Sequence, residues 1–175
     1  VNQRLSKSKR TRKANTEINL EIDAFLPSDY ISDQRQKIEI YKRIREIESR
    51  TYYQDLQDEL IDRFGEYPDT VAYLLEIGLL KHFADHAFVD KIDKQLSTIV
   101  YRMSKAATHT FMPQDYFDAL SKTQLKAKIG ETAGQMVIRF DIRKLSASAY
   151  LSEMMAFTER LSAIRDEKKK KKTDL

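Results

Sequence analysis

The chain has no cysteine and no tryptophan, and only four glycines and three prolines in 175 residues. Without cysteine there is no disulfide framework, no thiolate metal site and no thiol nucleophile. The glycines, Gly65, Gly78, Gly130 and Gly134, form neither the phosphate-cradling G-x-x-x-x-G-K-[ST] loop nor the dinucleotide fingerprint G-x-G-x-x-G. Apolar runs are short as well. The longest, residues 71–80, is broken by Glu76 and Gly78 and falls far below the roughly 20 residues that span a bilayer. The first residues are basic, yet no apolar stretch follows them, so they do not read as a secretory signal. These absences fit a reducing compartment, and the expected location is the cytoplasm.

What is present is a core. Hydrophobic residues make up 41% of the chain, enough for one folded domain with tails and too many for wholesale disorder. Charge is unevenly placed. The net charge is +4, but residues 1–13 carry six Lys and Arg and no acid, and residues 165–175 carry a net +3. Residues 14–164 are left at −5. A duplex-binding domain is expected to carry positive charge on its folded surface, so any nucleic-acid contact is expected to be weak, salt-labile and confined to the ends.

Residues 1–15 are polar and aperiodic and read as a basic linker or arm. Ile18, Leu20 and Ile22 then alternate with polar residues, a strand period ending at Pro27. Three helices follow. The first opens at Ser32 or Asp33, with Ile38, Tyr41, Ile44 and Ile47 recurring every three residues and Ile40 beside them. The second opens at Thr51, with Gln54 completing a capping box, and turns Tyr53, Leu56, Leu60, Ile61 and Phe64 inward. Gly65 stops it. The third starts at Pro68 and Asp69 and faces inward with Val71, Leu74, Leu75, Ile77 and Leu79.

The period then changes. Residues 88–93 and 96–103 read as a hairpin turning at Lys94 and Gln95. Pro113 fits the first turn of a short helix reaching Ser121. A second hairpin pairs 124–130 with 135–141, its turn bracketed by Gly130 and Gly134. A last helix from Ser146 carries Tyr150, Leu151, Met154, Phe157, Leu161 and Ile164, and five lysines end it. The fold class is therefore α+β: a strand and three helices, then two antiparallel hairpins interleaved with helices. One domain is expected over 16–166, followed by a lysine-rich tail over 167–175.

Catalytic constellations are absent. His82 and His86 share a helix face, but Phe83 stands where a zinc protease has glutamate. No metal site, nucleotide site or catalytic residue is expected. The informative feature is acidic. Asp55, Glu59 and Asp62 fall at i, i+4 and i+7 of the second helix, Asp58 flanks them, and Glu66 extends the line. Like charges so spaced cost a few tenths of a kcal/mol each. A solvated face and a dock for a basic partner both remain open at this point. Helix geometry places Glu59 and Asp62 outside, away from Leu56, Leu60 and Phe64.

Particular runs then carry a resemblance. Asp23-Ala24-Phe25-Leu26-Pro27, Tyr30-Ile31-Ser32-Asp33 and residues 36–44, and above all Glu59-Leu60-Ile61-Asp62-Arg63-Phe64-Gly65 followed by Pro68, resemble the C-terminal domain of the bacterial transcription-repair coupling factor. The resemblance is strong over 16–80 and one of layout over 88–166. It implies a much larger parent, an ATP-dependent DNA translocase that releases stalled RNA polymerase and recruits the excision-repair protein UvrA through a UvrB-like N-terminal module. ATP and magnesium would belong to the parent's motor domains, and no cofactor is expected in this chain. In that family the C-terminal domain docks on the UvrB-like module and masks the UvrA-binding surface, with carboxylates of the E-L-I-D run facing arginines. Glu59 and Asp62 match those positions, with Asp55 and Asp58 beside them. The resemblance thus implies a non-enzymatic, autoinhibitory interaction domain, with no membrane partner. The alternative is a nucleic-acid-binding appendage acting through the basic ends.

Overall fold

The computed structural model describes residues 15–174, and side chains only to residue 172. They form six helices and five strands in the order β1 (Glu17–Asn19), α1 (Gln34–Arg45), α2 (Arg50–Phe64), α3 (Asp69–His86), β2 (Val89–Gln95), β3 (Thr98–Met103), α4 (Lys105–Thr110), α5 (Pro113–Leu120), β4 (Lys126–Thr132), β5 (Gln135–Asp141) and α6 (Ala147–Asp174). The class is α+β, as expected. The chain divides into two compact units. One is residues 21–82, and the other joins residues 15–20 to residues 83–174.

The first unit is helical. Asp33 caps α1 by accepting from the Arg35 N–H at 2.8 Å. Ile40 and Ile44 are buried, and Ile47 is buried just past the helix end. Ile38, expected inside, is 66% exposed. It lies about 160° around the helix from Ile40, because a repeat of three drifts off one face of a 3.6-residue helix. The cap of α2 also differs. Ser49, not Thr51, accepts from the Tyr52 N–H at 3.0 Å, and the helix starts at Arg50. Leu56 and Leu60 are fully buried, whereas Ile61 is exposed, about 100° beyond Leu60 and off the apolar arc. Gly65 ends α2 with φ of +87° and its N–H on the Ile61 carbonyl at 2.9 Å. In α3, Val71, Leu75, Leu79 and Leu80 are buried, while Leu74 and Ile77 are only half so. Gly78 faces α1 closely. A Cβ there would lie 2.9 Å from Ile44 Cγ2 and 3.2 Å from the Ile44 carbonyl.

The second unit is a five-stranded sheet in the order β1-β2-β3-β5-β4, with β1 parallel to β2 and the rest antiparallel. The first strand is much shorter than its alternation suggested. It ends at Asn19, and Glu21 takes φ of +58°. Thr16 holds it, with its N–H on Asp85 Oδ1 and its hydroxyl on the Val89 carbonyl, both at 2.6 Å. Both hairpins turn later than expected. Gln95 pairs with Thr98, so Leu96 and Ser97 make the first turn. Leu96 sits there 90% exposed with φ of +58°. In the second hairpin Thr132 pairs with Gln135, and the turn is Ala133-Gly134, both at positive φ. Gly130 lies within β4, opposite Val137. The short α4 carries no periodic signal that would mark it in the sequence.

Alternate sheet positions point to opposite faces. One face carries Ile92, Ile99, Tyr101, Ile138 and Phe140, all buried. There the Tyr101, Phe140 and Phe157 rings meet edge-on at 5.0–5.4 Å, bringing α6 onto the sheet. Tyr101, fully buried, hydrogen-bonds Thr158 at 2.7 Å through its hydroxyl. The stripe of α6 predicted to be apolar is buried from Tyr150 to Ile164. The lysines after it continue the helix to Asp174 instead of leaving it, and Lys168 pairs with Asp115 at 2.9 Å. The expected arm over 1–15 lies outside the described residues, apart from Asn15.

Candidate functional site

The α2 face is built by its two ends and its buried seam. Ser49 caps the start, and Gly65 with the Tyr30 hydroxyl fixes the finish. That hydroxyl donates to the Gly65 carbonyl at 2.7 Å, and its ring lies 5.8 Å from that of Phe64. With Leu56 and Leu60 inside, rotation of about 100° per residue puts Asp55, Asp58 and Asp62 within one outward arc of about 60°. All three are exposed. Among the described residues no ion pair engages them.

Glu59 is different. It lies on the flank of the arc that faces α1, and it is not free. Its Oε2 accepts from Arg43 Nη1 at 2.7 Å and from Arg63 Nη1 at 2.9 Å. Arg63 also stands 3.6 Å from Glu39 Oε1 and over the Phe64 ring at 4.9 Å. Glu39, Arg63, Glu59 and Arg43 thus alternate in sign across the α1–α2 contact. The Glu59 side chain is 34% exposed, so the expectation of a largely open carboxylate is corrected. Its hydrogen bonds, that from Arg43 foremost, hold its carboxyl below the usual range. In turn Glu59 raises the Arg43 guanidinium above its ordinary value. The reason was not in the α2 sequence. Arg43 arrives from another helix, sixteen residues away.

The four predicted residues therefore split in two. Asp55, Asp58 and Asp62 form an open acidic surface with three carboxylates available to a cation. Glu59 is a structural tie that a partner's arginine would have to share. Among the described residues no group of three or more His, Asp or Glu could hold an ion, and His86 Nε2 lies 2.7 Å from Asp166 Oδ1. No helix of the described residues is long and apolar enough to cross a membrane.

Comparison with known proteins converges on one family. A family model described as the TRCF domain matches residues 20–114, which is more than half of the chain and includes all of α1, α2 and α3. The chain belongs to the TRCF domain family. A transcription-repair-coupling factor of Bacillus subtilis is 30% identical over 169 residues, covering 97% of this chain and 14% of that protein. One from Staphylococcus aureus strain USA300 is 37% identical over 122 residues, 70% of this chain and 10% of that protein. This TRCF domain therefore spans about a seventh or less of the curated relatives it matches. A crystal structure of the C-terminal domain of transcription-repair coupling factor superposes with a TM-score of 0.86 at 50% identity, covering 89% of this chain and 96% of that one. The fold and the family expected from the sequence stand on these matches.

Proposed function

We propose that this TRCF domain is a regulatory interaction domain that docks, through the outward arc of α2, on a UvrB-like module of its parent and masks the surface that binds UvrA. RNA polymerase engagement would release it, and the ATP-driven translocation would belong to motor domains elsewhere in the parent. The observation that supports this reading is the open trio Asp55, Asp58 and Asp62, exposed carboxylates with no ion-pair partner among the described residues. Exposed ion pairs contribute about 0–1 kcal/mol, but arginine–carboxylate pairs desolvated in an interface couple more strongly. Such a seam is polar enough to open again, as inter-domain contacts commonly do. Asp62 heads the site, Asp58 and Asp55 continue it, and Glu59 contributes from the flank while tied to Arg43 and Arg63.

The test is charge reversal in the whole protein. Asp58→Arg with Asp62→Arg should raise UvrA capture and ATP turnover above wild type, and truncation to alanine should do so less. A reversed protein that captures no more UvrA than wild type would show that the arc is merely a solvated face.

A further inference from the structure

The sheet carries a second charged surface, of opposite sign and on the other unit. Averaged over residues 14–164 the body is acidic, but its two units differ. Residues 21–82 hold eight Lys and Arg against 14 Asp and Glu, whereas residues 15–20 and 83–164 hold 11 against 10. Within the second unit, residues 122–144 carry six Lys and Arg against Glu131 and Asp141. The net −5 of residues 14–164 stands, but averaging over the whole body conceals this local concentration of cations.

Register places these cations together. On the face opposite α6, Lys126 and Lys128 of β4 lie beside Asp141 and Arg139 of β5, and Arg102 of β3 follows across from Val137. Lys126, Lys128 and Arg139 are exposed, and Arg102 is half-buried. Lys128 and Arg139 are direct cross-strand partners, and among the described residues neither has an ion pair. Like charges directly opposite destabilise a sheet. A local rule broken at the surface, with no structural compensation, is what a binding site leaves behind. Asp141 is the only acid among them, and it is already taken. Arg143 grips both of its oxygens at 2.8 and 3.2 Å and holds its carboxyl down at about 2. Beside the strands lies an open groove of about 510 Å³, whose lining includes the Ser97 and Thr98 hydroxyls with Lys126, Lys128 and Arg139.

We infer that the β3-β5-β4 face binds the phosphodiester backbone of duplex nucleic acid without sequence preference. Cations and hydroxyls are what phosphate contacts require. An acidic protein partner fits less well, since protein interfaces centre on aromatic or aliphatic anchors and the strand positions of this face expose none, Leu96 and Leu145 being exposed only at its margin. Single strands fit less well too, because base stacking needs exposed aromatic rings. The aromatic rings of these strands, Tyr101 and Phe140, are buried on the opposite face. The surface shares no residue with α2, so it stands or falls independently of the docking proposal.

The test is fluorescence anisotropy of this chain with a labelled 20-base-pair duplex and with one of its strands, from 50 to 150 mM salt. Four neutralised phosphates predict a log–log salt slope of about −3.6, or a loss of about 50-fold across that range. Lys128→Gln with Arg139→Gln should weaken duplex binding at least about tenfold and reduce the slope by about 1.8. Its melting temperature should not fall, because the variant relieves the opposed charges. Lys126→Gln leaves that pair intact and should weaken binding about threefold or more, which keeps the test valid if the double variant folds poorly. Lys170→Gln with Lys171→Gln, on the end of α6, is the charge-matched control and should lose less than threefold. The proposal is overturned if the sheet variants bind as wild type, if the α6 control loses as much as they do, or if the single strand binds more tightly than the duplex. Displacement of the duplex by poly-glutamate at equal charge concentration would also overturn it.

Discussion

Glu59→Ala should destabilise the folded domain by about 1 kcal/mol, while Asp62→Ala should stay within about 0.5 kcal/mol. Both are carboxylates of one short run, and the sequence pattern alone treats them alike. The structure separates them. Glu59 accepts two charge-assisted hydrogen bonds, at 2.7 and 2.9 Å, from guanidinium groups that are 28% and 30% exposed. Exposed pairs contribute about 0.2–1 kcal/mol each, and with solvent screening at a third exposure the two pairs together come to about 1 kcal/mol. The contribution should also depend on pH with a definite sign. The arginines hold the Glu59 carboxyl below its unfolded value, so this stabilisation is complete above the ordinary glutamate range and disappears as pH falls through the folded value. Urea melts of wild type, both single variants, Arg43→Ala and the Glu59→Ala/Arg43→Ala pair, at pH 7 and again in acid, would measure it. A coupling energy of about 0.5–1 kcal/mol is expected at pH 7 and should shrink in acid. The reasoning fails if Asp62→Ala costs more than Glu59→Ala, or if the coupling is unchanged at low pH.

Three further outcomes follow from particular packing. Gly78→Ala should lower stability by about 1–2 kcal/mol although alanine is the better helix former, since its Cβ would meet Ile44 at 2.9 Å; a gain in the melting midpoint would show that α1 yields easily. Leu96→Gly should stabilise the first hairpin by about 0.5–1 kcal/mol, because Leu96 is 90% exposed at a φ of +58°, and a drop in thermal stability would contradict this. Tyr101→Phe should cost about 1 kcal/mol by removing the buried hydrogen bond to Thr158; the Thr158 hydroxyl keeps its bond to the Met154 carbonyl at 2.7 Å, so a loss above about 3 kcal/mol would mean that the ring packing had also changed.

Where one residue type had one structural use, the sequence was legible. Asp33 caps α1, Pro113 opens α5, and the α6 stripe from Tyr150 to Ile164 is buried as its period required. Legibility failed where an outcome depends on a distant partner or on exact phase. Ile38 and Ile61 satisfied a loose apolar count but sit beyond the arc that the neighbouring helix can cover. The hairpin turns were placed by polar and glycine content, yet strand register set them at Leu96-Ser97 and Ala133-Gly134, where non-glycine residues accept positive φ. The same limit applied to the site. The acidic line was visible as a spacing, but only the fold could show that Arg43 withdraws Glu59 from it. Nor could a net charge over 151 residues reveal that one unit is acidic and one sheet face basic.

The central claim, that the outward arc of α2 docks on a basic surface of a UvrB-like module, is tested most directly by titrating that isolated module with this chain in a calorimeter. The account predicts binding that weakens with salt, that falls at least about tenfold with Asp58→Arg/Asp62→Arg, and that is partly restored when an arginine of the module is reversed to glutamate. Equal affinity of the wild-type and reversed chains, under conditions where both are folded, would contradict it.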